Sequence, residues 1–236
     1  MCYKQLLSSP GVAVSSASLQ KRVIGGQNCR DDERHYHVTV YRHSSTGTTI
    51  CGGSLISDQW VLTAAHCWDL TEKSPITDYS NGREHDIMLL RLSGKTTIQP
   101  IRLPDCPDTL LLQQGHILSK MCQHFNRPYM FTCCFSSTGA NDRNDLQCAE
   151  FKIAKHEKME TTLAKDEDFR FRYQKWYSVR SSKKDMFRDD SGGGCVFNSR
   201  LYGVYVYTGE TEKALNAPSL FLDVCAYKQW IEDTIK

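Results

Sequence analysis

β-Branched or aromatic residues recur at alternate positions in Tyr36–Tyr41 (YHVTVY), and Ile87–Leu92 (IMLLRL) and Leu201–Tyr207 (LYGVYVY) have a similar pattern. Alternation with a period of two puts one face of an extended chain against a core, so each stretch predicts a short strand. No long run with the 3.6-residue helical period separates them, which makes this mostly a β protein. There are two exceptions. Glu160–Lys175 is rich in charge and predicts a possible helix, and in the C-terminal AYKQWIEDTIK the residues Tyr227, Trp230, Ile231 and Ile235 stand at helical spacing. That apolar stripe predicts a terminal helix docked on a barrel. Ile101–Cys106 (IRLPDC), with its proline, is the natural place for the chain to cross between two halves. There is no internal repeat and no low-complexity tract.

Composition narrows the class. The chain has 236 residues, 40% of them hydrophobic and 24% charged, enough for one sizeable domain or two small barrels sharing a core. Its formal charge is +2 with the basic residues scattered, which suggests neither nucleic acid nor an anionic membrane as a partner. No apolar run is long enough to span a bilayer. Eleven cysteines fit an oxidising compartment, and an odd number leaves at least one outside intramolecular pairs. The first 22 residues hold a lysine, a modest apolar stretch and small residues up to Ala17, the order of parts in a secretory signal peptide. Ser8, Ser9 and Pro10 interrupt the apolar part, so a disordered N-terminus is the alternative. Lys21-Arg22, just before Val23-Ile24-Gly25-Gly26, offers a protease a dibasic step.

Acyl transfer by serine needs a hydroxyl, an imidazole to take its proton, and a buried carboxylate to hold the imidazole's tautomer. All three residue types occur in suggestive settings. His66 lies in CGGSLISDQWVLTAAHCW, after the apolar Trp60–Leu62, and Cys51 and Cys67 could close a small loop behind it. Asp86 stands at the mouth of an apolar strand in HDIMLLRL. Ser191 lies in DDSGGG, where glycines permit a sharp turn that brings N–H groups near a developing oxyanion. Taken singly, a histidine beside a cysteine is more often structural, and DSGG is more often a turn.

Taken together they say more. VIGG, TAAHC, HDIMLL and DSGG occur in that order, and from Val23 to the C-terminus the sequence resembles the trypsin-like serine proteases of the chymotrypsin fold, in particular the vertebrate digestive type. The resemblance implies an all-β fold of two six-stranded antiparallel barrels with a C-terminal helix, the first barrel incomplete here, and an active site in the cleft between them. It implies a segment 1–22 that carries the signal and activation sequences, and a peptidase domain over 23–236. His66 becomes the general base, Asp86 its orienting partner and Ser191 the nucleophile, with the N–H groups of Asp189 and Ser191 as the oxyanion hole. Cleavage after Arg22 frees the ammonium of Val23 to pair with Asp190. Asp185, six residues before Ser191, matches the base of the specificity pocket and implies cleavage after Arg or Lys; its bland reading is a solvated acid after Lys183 and Lys184. Thr208 and Ser219 stand where the family has pocket-lining glycines.

The resemblance also carries disulfides, Cys51 with Cys67, Cys29 with Cys148 and Cys106 with Cys225, while Cys2, Cys122, Cys133, Cys134 and Cys195 have no clear place. Cys122, His124, Cys133 and Cys134 match no zinc signature, so neither a metal nor another cofactor is expected. Expected partners are polypeptide substrates, an activating protease and proteinaceous inhibitors. A secreted, extracellular monomer is expected.

Three departures separate the chain from the family pattern. His66 and Asp86 are 20 positions apart, against about 45 in the typical triad. Leu70–Glu84 (LTEKSPITDYSNGRE) shows no alternating apolar pattern, which predicts the loss of the strands and calcium loop found there in the family, and leaves the first barrel with exposed edges. Gly115–Asn141 reads as unrelated sequence soon after Ile117, and around the nucleophile Phe187 replaces a pocket cysteine while Asp189 replaces the oxyanion-hole glycine. Two function classes follow: a serine endopeptidase made as a zymogen, or a catalytically impaired homologue, a pseudoprotease or aberrant transcript product that at most binds peptides or inhibitors.

Overall fold

The computed structural model describes residues 27–29, 34–45, 47–68, 77–78, 83–106, 130–136, 146–154, 176–180, 190–208 and 219–236. After β1 (Gln27–Asn28), the first sheet is built from β2 (His37–Ser44), β3 (Gly47–Leu55), β4 (Trp60–Thr63) and β7 (Met88–Arg91), which pair in that order, all antiparallel. Alternation sorts the faces of β3. Gly53 packs towards Val38, Val40 and Val61, whereas Gly52 faces His37 and the backbone of Gly193, and Ser54 lies against Gly194. β3 therefore lines the first core with one face and meets the second half of the molecule with the other.

Between β4 and β7 the strands β5 (Thr77–Asp78) and β6 (Arg83–Glu84) pair with each other and, among the described residues, with no other strand. The expectation for Leu70–Glu84 is the loss of the strands the family has there, and the described residues of this segment hold a two-residue pair that stands apart from the first sheet. Two residues per strand are too few to display an alternating pattern, so the pairing was invisible to a period-based reading. Among the described residues these strands do not join the four-stranded sheet, and that sheet stays open.

The second half is built from β8 (Met130–Ser136), β9 (Leu146–Ala154), β10 (Trp176–Arg180), β11 (Gly194–Phe197), β12 (Arg200–Thr208) and β13 (Ser219–Asp223). They pair in the order β9-β10-β13-β12-β11-β8, and an additional β8–β9 ladder links the two ends, so hydrogen-bonded neighbours run round a continuous ring, with β1 attached to β9. Glu160–Lys175, predicted as a possible helix, lies outside the described residues.

The helix α1 (Val224–Thr234) ends the fold, and Asp223 caps it by accepting a hydrogen bond from Cys225 N at 3.0 Å. Val224, Cys225, Tyr227 and Ile231 are buried, and Trp230 and Ile235 pack at the margin of the same core. One contiguous cluster runs through Leu62, Ile87, Leu201, Val204, Leu222 and Ile231, joining both halves and the helix. Each such aliphatic side chain contributes roughly 1.5–3 kcal/mol by leaving water. Ile101–Cys106 runs between the halves: Ile101 N–H donates to Leu55 O (2.9 Å), Arg200 reaches Leu103 O (2.8 Å) and Asp105 (2.7 Å), and Cys106 is bonded to Cys225.

Candidate active site

His66 sits in a single 3-10 turn, Ala65–Cys67, at the end of β4, with Ala65 and Cys67 buried on either side of it. A disulfide joins Cys67 to Cys51 on β3 (Cα–Cα 6.0 Å), and closing a loop with a sequence separation of 16 removes about 3 kcal/mol of chain entropy from the unfolded state. Cys51 and Cys67 Sγ lie within 4.8 Å of an imidazole nitrogen, but their bond to each other removes both as thiolate ligands for a metal.

Asp86 enters from the start of β7, between His85 and the fully buried Ile87. Its two oxygens are both used on His66: Oδ2 lies 2.8 Å from Nδ1, and Oδ1 accepts the backbone N–H at 2.8 Å. The carboxylate thus fixes both the ring and the backbone that carries it. Burial lowers the imidazole pKa, but the hydrogen bond to Asp86 and the carboxylate charge outweigh it, and the net result is a pKa above the ordinary 6.5. With Nδ1–H donating to Asp86, Nε2 is left as the lone-pair nitrogen, the tautomer a general base requires. The His66 side chain remains 31% exposed, against 10% for Asp86.

Ser191 stands on a turn stitched to both halves. Its carbonyl accepts Gly52 N–H (2.7 Å), Gly192 N–H donates to Tyr205 O (2.7 Å), Gly193 N–H to Asp190 O (3.1 Å), and Tyr205 N–H to Gly193 O (2.9 Å). Glycine at 192 is obligatory, because its φ of 81° is left-handed and a Cβ there would run into Thr63 Oγ1 and Gly52 O. A Cβ on Gly194 already falls on Ser54 Oγ and 2.7 Å from Leu201 Cδ1. Thr63 Oγ1 in turn donates to Gly52 O (2.7 Å), so one short chain of contacts links the Ser191 carbonyl, Gly52 and the strand that delivers His66 three residues later.

No hydrogen bond joins His66 to Ser191 among the described residues, and Ser191 is only 5% exposed. The Ser191 N–H makes no hydrogen bond among them either, whereas those of Gly192 and Gly193 are engaged. Asp190 is buried beside the serine. Thr208 and Ser219 are direct partners across the β12–β13 ladder, with Ser219 buried. Arg22, Val23, Asp185 and Asp189 lie outside the described residues.

The structure joins Cys29 to Cys148 (Cα–Cα 5.0 Å) and Cys106 to Cys225 (5.5 Å). Cys195, unassigned by the sequence, is also disulfide-bonded, and it stands opposite Cys133 in the β11–β8 ladder. Two features near the site had no sequence signal. His37 is buried opposite Ser54 with both ring nitrogens lacking a hydrogen bond among the described residues, and His85 Nδ1 lies 2.9 Å from the hydroxyl of Tyr227.

The family model described as Trypsin matches residues 23–231. Human kallikrein-2 is 26% identical over 260 residues, covering 92% of this chain and 91% of the relative. Chicken trypsin II-P29 is 27% identical over 265 residues, covering 98% and 96%. Among solved structures, a scabies mite inactivated protease paralogue superposes with a TM-score of 0.66 at 21% identity over 89% of this chain and 98% of that one, and mouse neuropsin with 0.61 at 23% over 90% and 99%. These two likenesses concern the fold, which is that of the chymotrypsin-type serine proteases. A family match spanning nearly the whole chain, on a fold that carries the paired His66 and Asp86, makes this chain a member of the trypsin family of serine proteases.

Proposed function

We propose that the protein is a secreted serine endopeptidase that works through an acyl-enzyme, with His66, Asp86 and Ser191 as its catalytic residues. The observation that carries this reading is the two-point grip of Asp86 on His66, which presets the tautomer needed at Nε2. Ser191 Oγ attacks the scissile carbonyl carbon as its proton passes to Nε2, and Asp86 stabilises the imidazolium that forms. The tetrahedral oxyanion is met by the N–H of Ser191 and that of Asp189. Collapse expels the amine, which takes the proton from Nε2, and water repeats the sequence to release the acid and restore the serine. Asp185 selects Arg or Lys before the scissile bond by a charge-assisted contact, with Thr208 and Ser219 narrowing the pocket.

Residues 1–22 act as the signal and activation segment of the peptidase domain 23–236, and cleavage after Arg22 lets the Val23 ammonium pair with Asp190. The test is treatment with trypsin followed by a fluorophosphonate. The expected product begins at Val23 and carries the label on Ser191. Correct cleavage without a label refutes the catalytic reading. A second reading, a homologue that binds peptides or inhibitors without cleaving them, is favoured by the absence of a His66–Ser191 hydrogen bond among the described residues and by the near-complete burial of Ser191. That reading predicts the cleaved, unlabelled product.

A further inference from the structure

His85 immediately precedes Asp86, and its ring meets the C-terminal helix. Nδ1 lies 2.9 Å from Tyr227 Oη, and the two rings pack edge to face, 5.4 Å apart at 78°. The contact joins residues 142 positions apart. We propose that His85 and Tyr227 form a brace that positions Asp86, and through it His66, so that both are positioning residues for hydrolysis. This inference rests on the reading of His66 and Asp86 as the catalytic pair.

Asp86 has to hold both the ring and the backbone of His66. One carboxylate meets two donors at 2.8 Å, the ring nitrogen and the backbone N–H of His66, so its position and its rotation are both constrained. On the C-terminal side Asp86 is anchored well: Ile87 is fully buried, and Met88 opens β7 opposite Thr63. The N-terminal side is different. β6 ends at Glu84 and among the described residues pairs with β5 alone, so no ladder from the four-stranded sheet extends there to the residue before Asp86. His85 supplies an anchor there.

The other end of the brace is firm. Tyr227 is buried on α1, whose first turn is capped by Asp223 and bonded through Cys225 to Cys106, while Ile231 one turn later is wholly buried. The hydroxyl and the ring edge act together, because the hydrogen bond sets the distance and the edge-to-face packing sets the tilt of the imidazole. Misplacing a catalytic group by about 1 Å can cost of order 10²-fold in rate, so a partial loosening of Asp86 reads out well before unfolding does.

The experiment uses the activated, disulfide-intact chain and the variants Tyr227→Phe, His85→Phe, His85→Gln and the double Tyr227→Phe/His85→Phe. Hydrolysis of an arginine ester separates kcat from KM, and the downfield proton resonance of the His66 Nδ1–H bonded to Asp86 reports the grip without any turnover. Expected are a fall in kcat of roughly tenfold with KM unchanged in each Phe variant, a shifted or broadened downfield resonance, a double variant no worse than either single one, and substantial recovery in His85→Gln, whose amide can still meet the hydroxyl. Unchanged kcat and resonance in the Phe variants, or additive losses that follow melting temperature alone, overturn the brace. An inactive wild type that shows the downfield resonance, lost in the Phe variants, refutes the catalytic reading and leaves the brace standing.

Discussion

Acid should weaken the fold at His37. Its side chain is buried on the face of β2 that meets Gly52 and Ser54, and neither ring nitrogen has a hydrogen-bond partner among the described residues. Burial disfavours the charged form and lowers its pKa from 6.5 to about 4. The folded pKa is below the unfolded one, so the unfolded chain takes up the proton first. His37 therefore weakens the fold as pH falls below 6.5, and the loss levels off once the pH is below 4. At 1.36 kcal/mol per pKa unit, the loss is about 2 kcal/mol by pH 5 and about 3 kcal/mol by pH 4. Set against a total stability of roughly 5–15 kcal/mol, that is a large fraction. Urea unfolding of the disulfide-intact protein at pH 7, 5 and 4, compared with His37→Leu, measures it. The variant should lose about 3 kcal/mol less than the wild type between pH 7 and pH 4. Equal losses in the two proteins would refute the burial of an unpartnered imidazole at this position.

Gly192→Ala should destabilise the fold by several kcal/mol, because a left-handed φ and a clash with Thr63 Oγ1 and Gly52 O coincide at one Cβ; a melting temperature within a degree or two of wild type contradicts the tight seat of the Ser191 turn. Asp86→Asn should slow fluorophosphonate labelling by about 10⁴-fold, the cost of the wrong imidazole tautomer, and labelling of the wild type should fall as pH drops through a midpoint above 6.5, since His66 must be neutral to act as base and its pKa is raised. On the proposed oxyanion-hole role of Asp189, Asp189→Gly should raise kcat on an arginine ester by one to a few orders of magnitude, because like charges ~6 Å apart repel by roughly 3 kcal/mol at an effective dielectric of about 20. An unchanged rate locates the limit in the open first sheet instead.

The elements with a strong local period were legible in the sequence. The stripe of Tyr227, Ile231 and Ile235 gives a helix over Val224–Thr234 with its C-cap at Ile235, and YHVTVY, IMLLRL and LYGVYVY lie within or beside β2, β7 and β12. Period tells nothing about pairs that are remote in the chain. The contact of His85 with Tyr227, the disulfide at Cys195 and the β5–β6 pair all depend on where strands end up rather than on what flanks them. His37 was hidden for another reason. A histidine in an alternating strand reads as a residue on the polar face, and only the arrival of the Ser191 turn against Gly52 buries that face. The meeting of His66 with Asp86 was suggested by the motifs around them, while the two-point geometry of the meeting was not.

The measurement that bears most directly on the proposed function is the mass of the protein after cleavage at Arg22 and exposure to a fluorophosphonate, with the adduct located by peptide mapping. The account predicts a chain starting at Val23, one adduct per molecule on the peptide containing Ser191, and no adduct in Ser191→Ala or after the pH is taken well below the His66 midpoint. A correctly cleaved chain that stays unlabelled at neutral pH would contradict it.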